Sequence, residues 1–150
     1  MSTYSFMDCV AAMVGPGGSV NLGMGAATAE EGITIEPVAD MNTMTIGADG
    51  SGMHSLSANE ASTVTVRLLK TSPVNAQLQL MYNLQRQSSL THGKNVITVR
   101  DVVRGDNITL TEVAFKKRPA INFAKEGGLN EWVFDAVRTV QVLGVGTPEL

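Results

Sequence analysis

A single cysteine, Cys9, and two histidines, His54 and His92, are all that this 150-residue chain offers to a disulfide or a soft metal. One cysteine closes no internal bridge, and a Cys/His zinc site needs more sulfur than this. Aromatic residues are scarce at 5%, so only Tyr4, Phe6, Tyr82, Phe115, Phe123, Trp132 and Phe134 could line a ligand pocket. No apolar run approaches the roughly 20 residues of a membrane helix, and no membrane anchoring is expected. The opening MSTYSFMDCVAAMV lacks a basic stretch and carries Asp8 in its apolar part, unlike a secretory signal. Positive charge is missing from one part altogether. Residues 1–60 hold seven of the 14 acids and no Lys or Arg, a sum of −7, while the rest sets 11 basic residues against seven acids, +4. A pI near 5.3 speaks against a dedicated nucleic-acid grip, which shows itself as a basic domain. The expectation is a soluble single domain over 1–150 in a reducing compartment. A chain of this length can bury roughly 70% of its extended surface without disulfides.

Catalytic constellations are also wanting. Gly15–Gly18, Gly23–Gly25 and Gly47–Gly52 lack the Lys-Ser/Thr of a phosphate loop and read as turns between strands. Asp49-Gly50 lacks the spaced carboxylates of a calcium loop. Cys9 sits in an apolar stretch with no cationic neighbour to depress its pKa, and reads as a small core residue. Neither histidine has a partner at ligand spacing. Glu30 and Glu31 are adjacent, so in extended chain they point to opposite sides and make a poor acid–base pair. Arg104-Gly105-Asp106 reads as a hairpin tip. No enzyme, metal or cofactor is expected.

What is present is mostly strand and turn. In Ser62–Leu69, Val64, Val66 and Leu68 share one face and Thr63, Thr65 and Arg67 the other, the period of two of a half-buried strand. Val96–Arg100, Ile108–Val113 and Glu131–Val137 repeat it, with Val140–Leu143 continuing the last. Gly105-Asp106-Asn107 offers positive-φ positions between two of these strands. Tyr4–Val14, Ser19–Leu22 and Ile33–Glu36 read as further strands, and Pro37 marks the last as an edge or a bulge.

One segment departs from this grammar. Ser72-Pro73 is a helix start, followed by a stripe of Val74, Leu78, Met81, Tyr82 and Gln85 and by Arg86 near the C-terminal end. Leu78, Leu80, Tyr82 and Leu84 would also suit a strand, and the start signal decides for a helix. The fold class is therefore mainly β: a β-sandwich or barrel with one packed α-helix over about 73–88 and a long hairpin over about 41–57.

Two features point to self-association. The helix carries amides rather than charges on its polar face, with Gln77, Leu80 and Leu84 suited to burial against another subunit; a neutral solvated face is the alternative. The hairpin carries Met41, Met44, Ile46, Met53 and Leu56 with one acid, Asp49. A two-stranded hairpin alone is marginal in water, so it either projects to meet another copy or folds back on its own sheet.

Tyr4–Asp8, Val14–Ser19, Ala29–Ile33, Asn42–Ser55, Leu68–Gln77, Ala114–Lys117 and Val142–Leu150 resemble the tail tube proteins of contractile-tailed bacteriophages, a likeness spread over nearly the whole chain. The resemblance implies a fold similar to type VI secretion tube proteins. It implies hexameric rings joined through continuing β-sheet, stacked into a tube inside a contractile sheath, and a conduit for genome ejection. The implied partners are further copies of the chain, the tail sheath, tape-measure, baseplate and tail terminator proteins, with phage DNA only in transit. The implied location is the virion tail, after assembly in the host cytoplasm. By position, Met41–Ser57 would make contacts between rings, helped by Tyr4–Val14 and Gly144–Leu150. A small-ligand or carbohydrate-binding β-sandwich module is the alternative. The charge asymmetry then becomes a possible head-to-tail match. Arg100, Arg104, Lys116, Lys117 and Arg118 are candidates to meet Glu30, Glu31, Asp40 or Asp49 of a neighbour, with mixing inside one chain as the alternative.

Overall fold

The computed structural model describes residues 3–23 and 28–146, with the side chains of 28–31 outside the description. The regular elements are β1 (Cys9–Gly15), β2 (Gly18–Asn21), β3 (Thr28–Pro37), β4 (Asn42–Ile46), β5 (Gly52–Leu56), β6 (Ser62–Leu69), α1 (Val74–Arg86), β7 (Asn95–Asp101), β8 (Asp106–Lys117) and β9 (Leu129–Val142). Seven strands form one antiparallel sheet in the order β2-β1-β7-β8-β9-β6-β3, while β4 and β5 pair only with each other. This is the expected mainly-β fold with one helix. The sheet curls: Ile33 and Ile35 of edge strand β3 pack against the same core as Val99 and Ile108 of β7 and β8.

Alternation decides which face turns inward. Ser62, Val64, Val66 and Leu68 of β6 are buried, as are Trp132, Phe134 and Ala136 of β9. Each fully buried apolar side chain of this size contributes roughly 1.5–3 kcal/mol. Phe115 of β8 centres an aromatic group, 4.9 Å from Phe134 and edge-on to Trp132 at 5.9 Å and Tyr82 at 5.6 Å. Strict alternation along β8 would put Glu112 beside Leu110. Instead Glu112 adopts φ 54 where the β7–β8 register shifts, an extra residue that turns the carboxylate outward and Val113 inward.

The helix closes the interior with Val74, Leu78, Met81 and Gln85, the expected stripe. Ser72 Oγ accepts the Val74 N–H at 3.3 Å, so the start signal works through the residue named for it. Two of the unusual amides turn inward. Asn75 Oδ1 accepts the Trp132 indole N–H at 3.0 Å. Gln85 Nε2 donates to the Pro16 carbonyl at 2.9 Å and to Asn95 Oδ1 at 2.8 Å, while Asn95 Nδ2 donates to Gln85 Oε1 at 2.7 Å and to the Val113 carbonyl at 3.0 Å. Gly15 is needed beside this clasp, because a Cβ there would lie 1.9 Å from Asn95 Oδ1.

Several boundaries differ from the sequence reading. Tyr4–Val14 is strand only from Cys9, because the Ser5 hydroxyl accepts the Met7 N–H at 3.1 Å and caps a 3-10 turn at Phe6–Asp8. Cys9 is half-buried at the rim rather than in the core. Of Gly105-Asp106-Asn107 only Gly105 has positive φ, since Asp106 already opens β8. β9 runs unbroken through Val142, and β3 begins earlier than Ile33.

Truncating one member of the clasp strands the other. Gln85→Leu is expected to cost about 1–3 kcal/mol, read as a lower midpoint in urea unfolding, because it leaves Asn95 Oδ1 and one Asn95 N–H without their partners.

Candidate self-assembly surfaces

Strand registers give the sheet two distinct ends. Pro37 pairs with Ser62, Cys9 with Asp101, and Asn107 with Val142 at one end, where the chain leaves for the β4–β5 hairpin and returns. The opposite end carries the β1–β2 turn, the 118–128 loop and the α1 connection from Leu69 to Asn95. Hairpin and helix therefore sit at opposite ends of one body.

The hairpin projects. Every residue from 36 to 60 is exposed, and the hairpin is not folded back onto the sheet. Its register pairs Asn42 with Leu56, Met44 with His54 and Ile46 with Gly52. Period-two geometry therefore puts Met44, Ile46 and Leu56 on one face and Met41 and Met53 on the other. Leu56 is 80% exposed. At the tip, Asp49 Oδ1 accepts from the Ser51 N–H at 3.1 Å and the Ser51 hydroxyl at 2.6 Å, and the hydroxyl contact foremost holds this carboxyl below the usual carboxylate range. Asn42 Nδ2 lies 3.1 Å from His54 Nδ1, which fixes the ring along the hairpin.

At the other end Gln77, Leu80 and Leu84 form an outward helix face, with Leu80 70% exposed. Gln79 Nε2 donates to Asn83 Oδ1 at 3.0 Å one turn on, so that amide pair partly satisfies itself. Lys116, Lys117 and Arg118 are exposed at this end. Arg86 and Lys116 line one recess of about 250 Å³ with Tyr82 and His92, which places helix and basic run side by side.

The proposed charge partners divide unevenly. Asp40 and Asp49 belong to the hairpin end, and Lys116–Arg118 to the helix end. Arg100 and Arg104 share the hairpin end with the acids they were expected to meet. Arg104 is also engaged inside its own chain. Its guanidinium donates to Asp101 Oδ2 at 2.9 Å, to Asp8 Oδ2 at 3.3 Å and to the Thr3 carbonyl, and covers the Tyr4 ring at 4.9 Å. The Arg104 backbone N–H, ahead of its side chain, holds the Asp101 carboxyl below its ordinary value. Burial first, and the Asp101 charge second, push the Cys9 thiol up, which leaves it a poor nucleophile. The side chains of Glu30 and Glu31 lie outside the described residues, as do residues 147–150 of the Gly144–Leu150 segment. This clasp on Thr3–Asp8 was not legible in sequence, because Arg104 and Asp8 lie 96 positions apart.

The aromatic residues give little to a carbohydrate site. Tyr82, Phe115, Trp132 and Phe134 belong to the core, Phe123 lies under Lys70 at 4.0 Å, and Tyr4, covered by Arg104, borders a recess of about 430 Å³ with Phe6. A recess of about 750 Å³ lies at the hairpin base between Val38, Ala58–Ser62 and Asp135–Arg138, and has no aromatic lining. Among the described residues, β2 and β3 are the outer strands of the sheet order.

The same fold recurs in chains of contractile injection systems. The chain is similar to a subunit of the anti-feeding prophage tube-terminating cap, at TM-score 0.58 and 11% identity, covering 96% of this chain and 93% of that one. It is also similar to a chain of the sheath–tube complex of the extracellular contractile injection system PVC in its extended state, at TM-score 0.54 and 9% identity over 90% and 88%. A chain in the six-fold symmetrised anti-feeding prophage baseplate matches at TM-score 0.55 and 11% identity over 98% and 100%. Such identities establish a shared fold. No curated protein sequence matches the chain. The family model described as the Bacteriophage PhiTE tail tube protein matches residues 1–144, and the chain belongs to that family. Its role is accordingly structural, that of a tail tube component and not of an enzyme.

The Arg104 clasp should respond to pH in a defined direction. Asp101 has a depressed folded-state pKa, so its contribution is present above the ordinary carboxylate range near 3.9 and is lost as pH falls through the lower folded value. Amide protection of Asp8 and Val102, whose backbones bond across this end, is expected to hold at pH 5–7 and to fall below about pH 4. Arg104→Ala is expected to lower it at every pH.

Proposed function

We propose that the protein closes into homohexameric rings and that the rings stack into the inner tube of a contractile phage tail, through which the genome passes. Family membership carries this reading, and the two unlike ends of the subunit support it. A tube needs heterologous contacts, in which rotation closes the ring and translation repeats it. Among the described residues β2 and β3 are the outer strands of one sheet and give a neighbour's strand a place to continue it. The six-fold symmetry of the anti-feeding prophage baseplate supports a ring of six. The exposed hairpin, with Met41, Met44, Ile46, Asp49, Met53 and Leu56, makes the contact between rings. The tail sheath, tape-measure, baseplate and terminator proteins are its partners, and the virion tail is its location after assembly in the host cytoplasm.

A conduit for DNA should hold few cations on its inner wall, because each inward Lys or Arg adds a phosphate contact that slows transit. A neutral to acidic lumen is expected in a reconstruction of the assembled tube; a dense inner ring of Lys and Arg would reject it. Negative-stain microscopy of the purified protein tests the reading directly. Rings or tubes with a central channel are expected, and a stable monomer at high concentration in every salt condition would sink it. Deleting Gly47–Gly52 is expected to leave rings and weaken stacking, whereas normal tubes would move the stacking contact away from the hairpin.

A further inference from the structure

We propose that the hairpin of one copy seats on the helix end of the next, its apolar face against Leu80 and Leu84 of α1 and its Asp49 tip toward Arg86 and Lys116. The inference rests on the tube reading and adds the receptor surface, which assembly through a hairpin leaves undefined.

Placement is the first ground. The hairpin leaves the sheet where Pro37 pairs with Ser62, and α1 spans the opposite end between Leu69 and Asn95. Within one molecule they lie at opposite ends of the sheet. Under a head-to-tail translation these two ends become neighbours, and every copy supplies one of each.

Chemistry is the second ground. Met44, Ile46 and Leu56 stand on one exposed face of a two-stranded ribbon that has no core of its own. Leu80 and Leu84 stand exposed on a helix whose outward positions carry amides. Leu80 and Leu84 stand about 6 Å apart along the helix axis, within the roughly 17 Å that five strand residues span.

Charge is the third ground and selects this occupant. Residues 37–61 contain Asp40, Asp49 and Glu60 and no Lys or Arg, while residues 70–94 contain Lys70, Arg86 and Lys94 and no Asp or Glu. Lys116 extends the positive region across the recess it shares with Arg86. A like-charged rim would oppose docking, whereas these rims attract, which favours one orientation of stacking and one register.

The test places the photo-reactive residue p-benzoylphenylalanine at position 80 of the full chain and irradiates assembled tubes. Leu80 is exposed, so the substitution leaves the core intact. Inter-copy cross-links to peptides from 41–57 are expected. Tubes that form normally but cross-link position 80 to other segments, or to none, overturn the inference and leave the tube reading standing. Failure of the unmodified protein to form rings or tubes overturns both. A charge exchange gives a second reading. Asp49→Lys is expected to shorten tubes about tenfold at low salt, and the added pair Arg86→Glu and Lys116→Glu to restore them. Tubes indifferent to Asp49→Lys, or not restored by the pair, reject the charge match.

Discussion

The constraint on which the rest depends is that a curled antiparallel sheet has one apolar interior and one helix to close it. Phe115, Trp132 and Phe134 fill that interior from the sheet, and Leu78 and Met81 fill it from α1. The Gln85–Asn95 clasp then fixes the helix's rotation, because both buried amides are satisfied in that setting. With the helix so held, its inward stripe is used up and Leu80 and Leu84 must face out. The hairpin β4–β5 finds no room in the core and is left with its methionines in water. The exposed apolar surfaces are therefore consequences of how the interior is filled.

That division explains how a family with a structural role can do without a site in the enzymatic sense. Among the described residues the chain offers instead two unlike ends and the two outer strands of its sheet. Arg104 shows the same economy at the hairpin end, where it gathers Thr3, Tyr4, Asp8 and Asp101 around one guanidinium. Such a clasp orders Thr3–Asp8 beside the projecting hairpin and keeps that cation out of any exchange with a neighbour. Arg100 shares its end, so the basic residues left to face the hairpin's acids across a head-to-tail contact are those around α1 and β8.

Much of the fold was legible because its signals are local. The period of two in Ser62–Leu69 appears as buried alternation in β6, and Ser72-Pro73 opens the helix. The hairpin's composition marked it as unable to stand without company. What escaped was set by distant partners or by geometry without a local cue. The Ser5 cap turned part of an expected strand into a 3-10 turn, and the irregularity at Glu112 kept Val113 inside against strict alternation. No local cue announced that Asn75 accepts from Trp132, or that Asn95 is the partner that holds Gln85 of the inward stripe.

The sequence by itself determined the elements, the mainly-β class, the helix's inward stripe and the confinement of every Lys and Arg to Arg67 onward, because periodicity, turn residues and composition act over a few neighbouring positions. Only the tertiary structure decided that the hairpin and the helix lie at opposite ends, that Arg104 is held within its own chain, and that Lys116 lies beside Arg86. Those relations depend on strand order and register, which join residues far apart in the chain. Part of the chain's charge thus acquires a direction in space: Asp40, Asp49 and Glu60 at the projecting hairpin, and Lys70, Arg86, Lys94 and Lys116 around the helix at the other end.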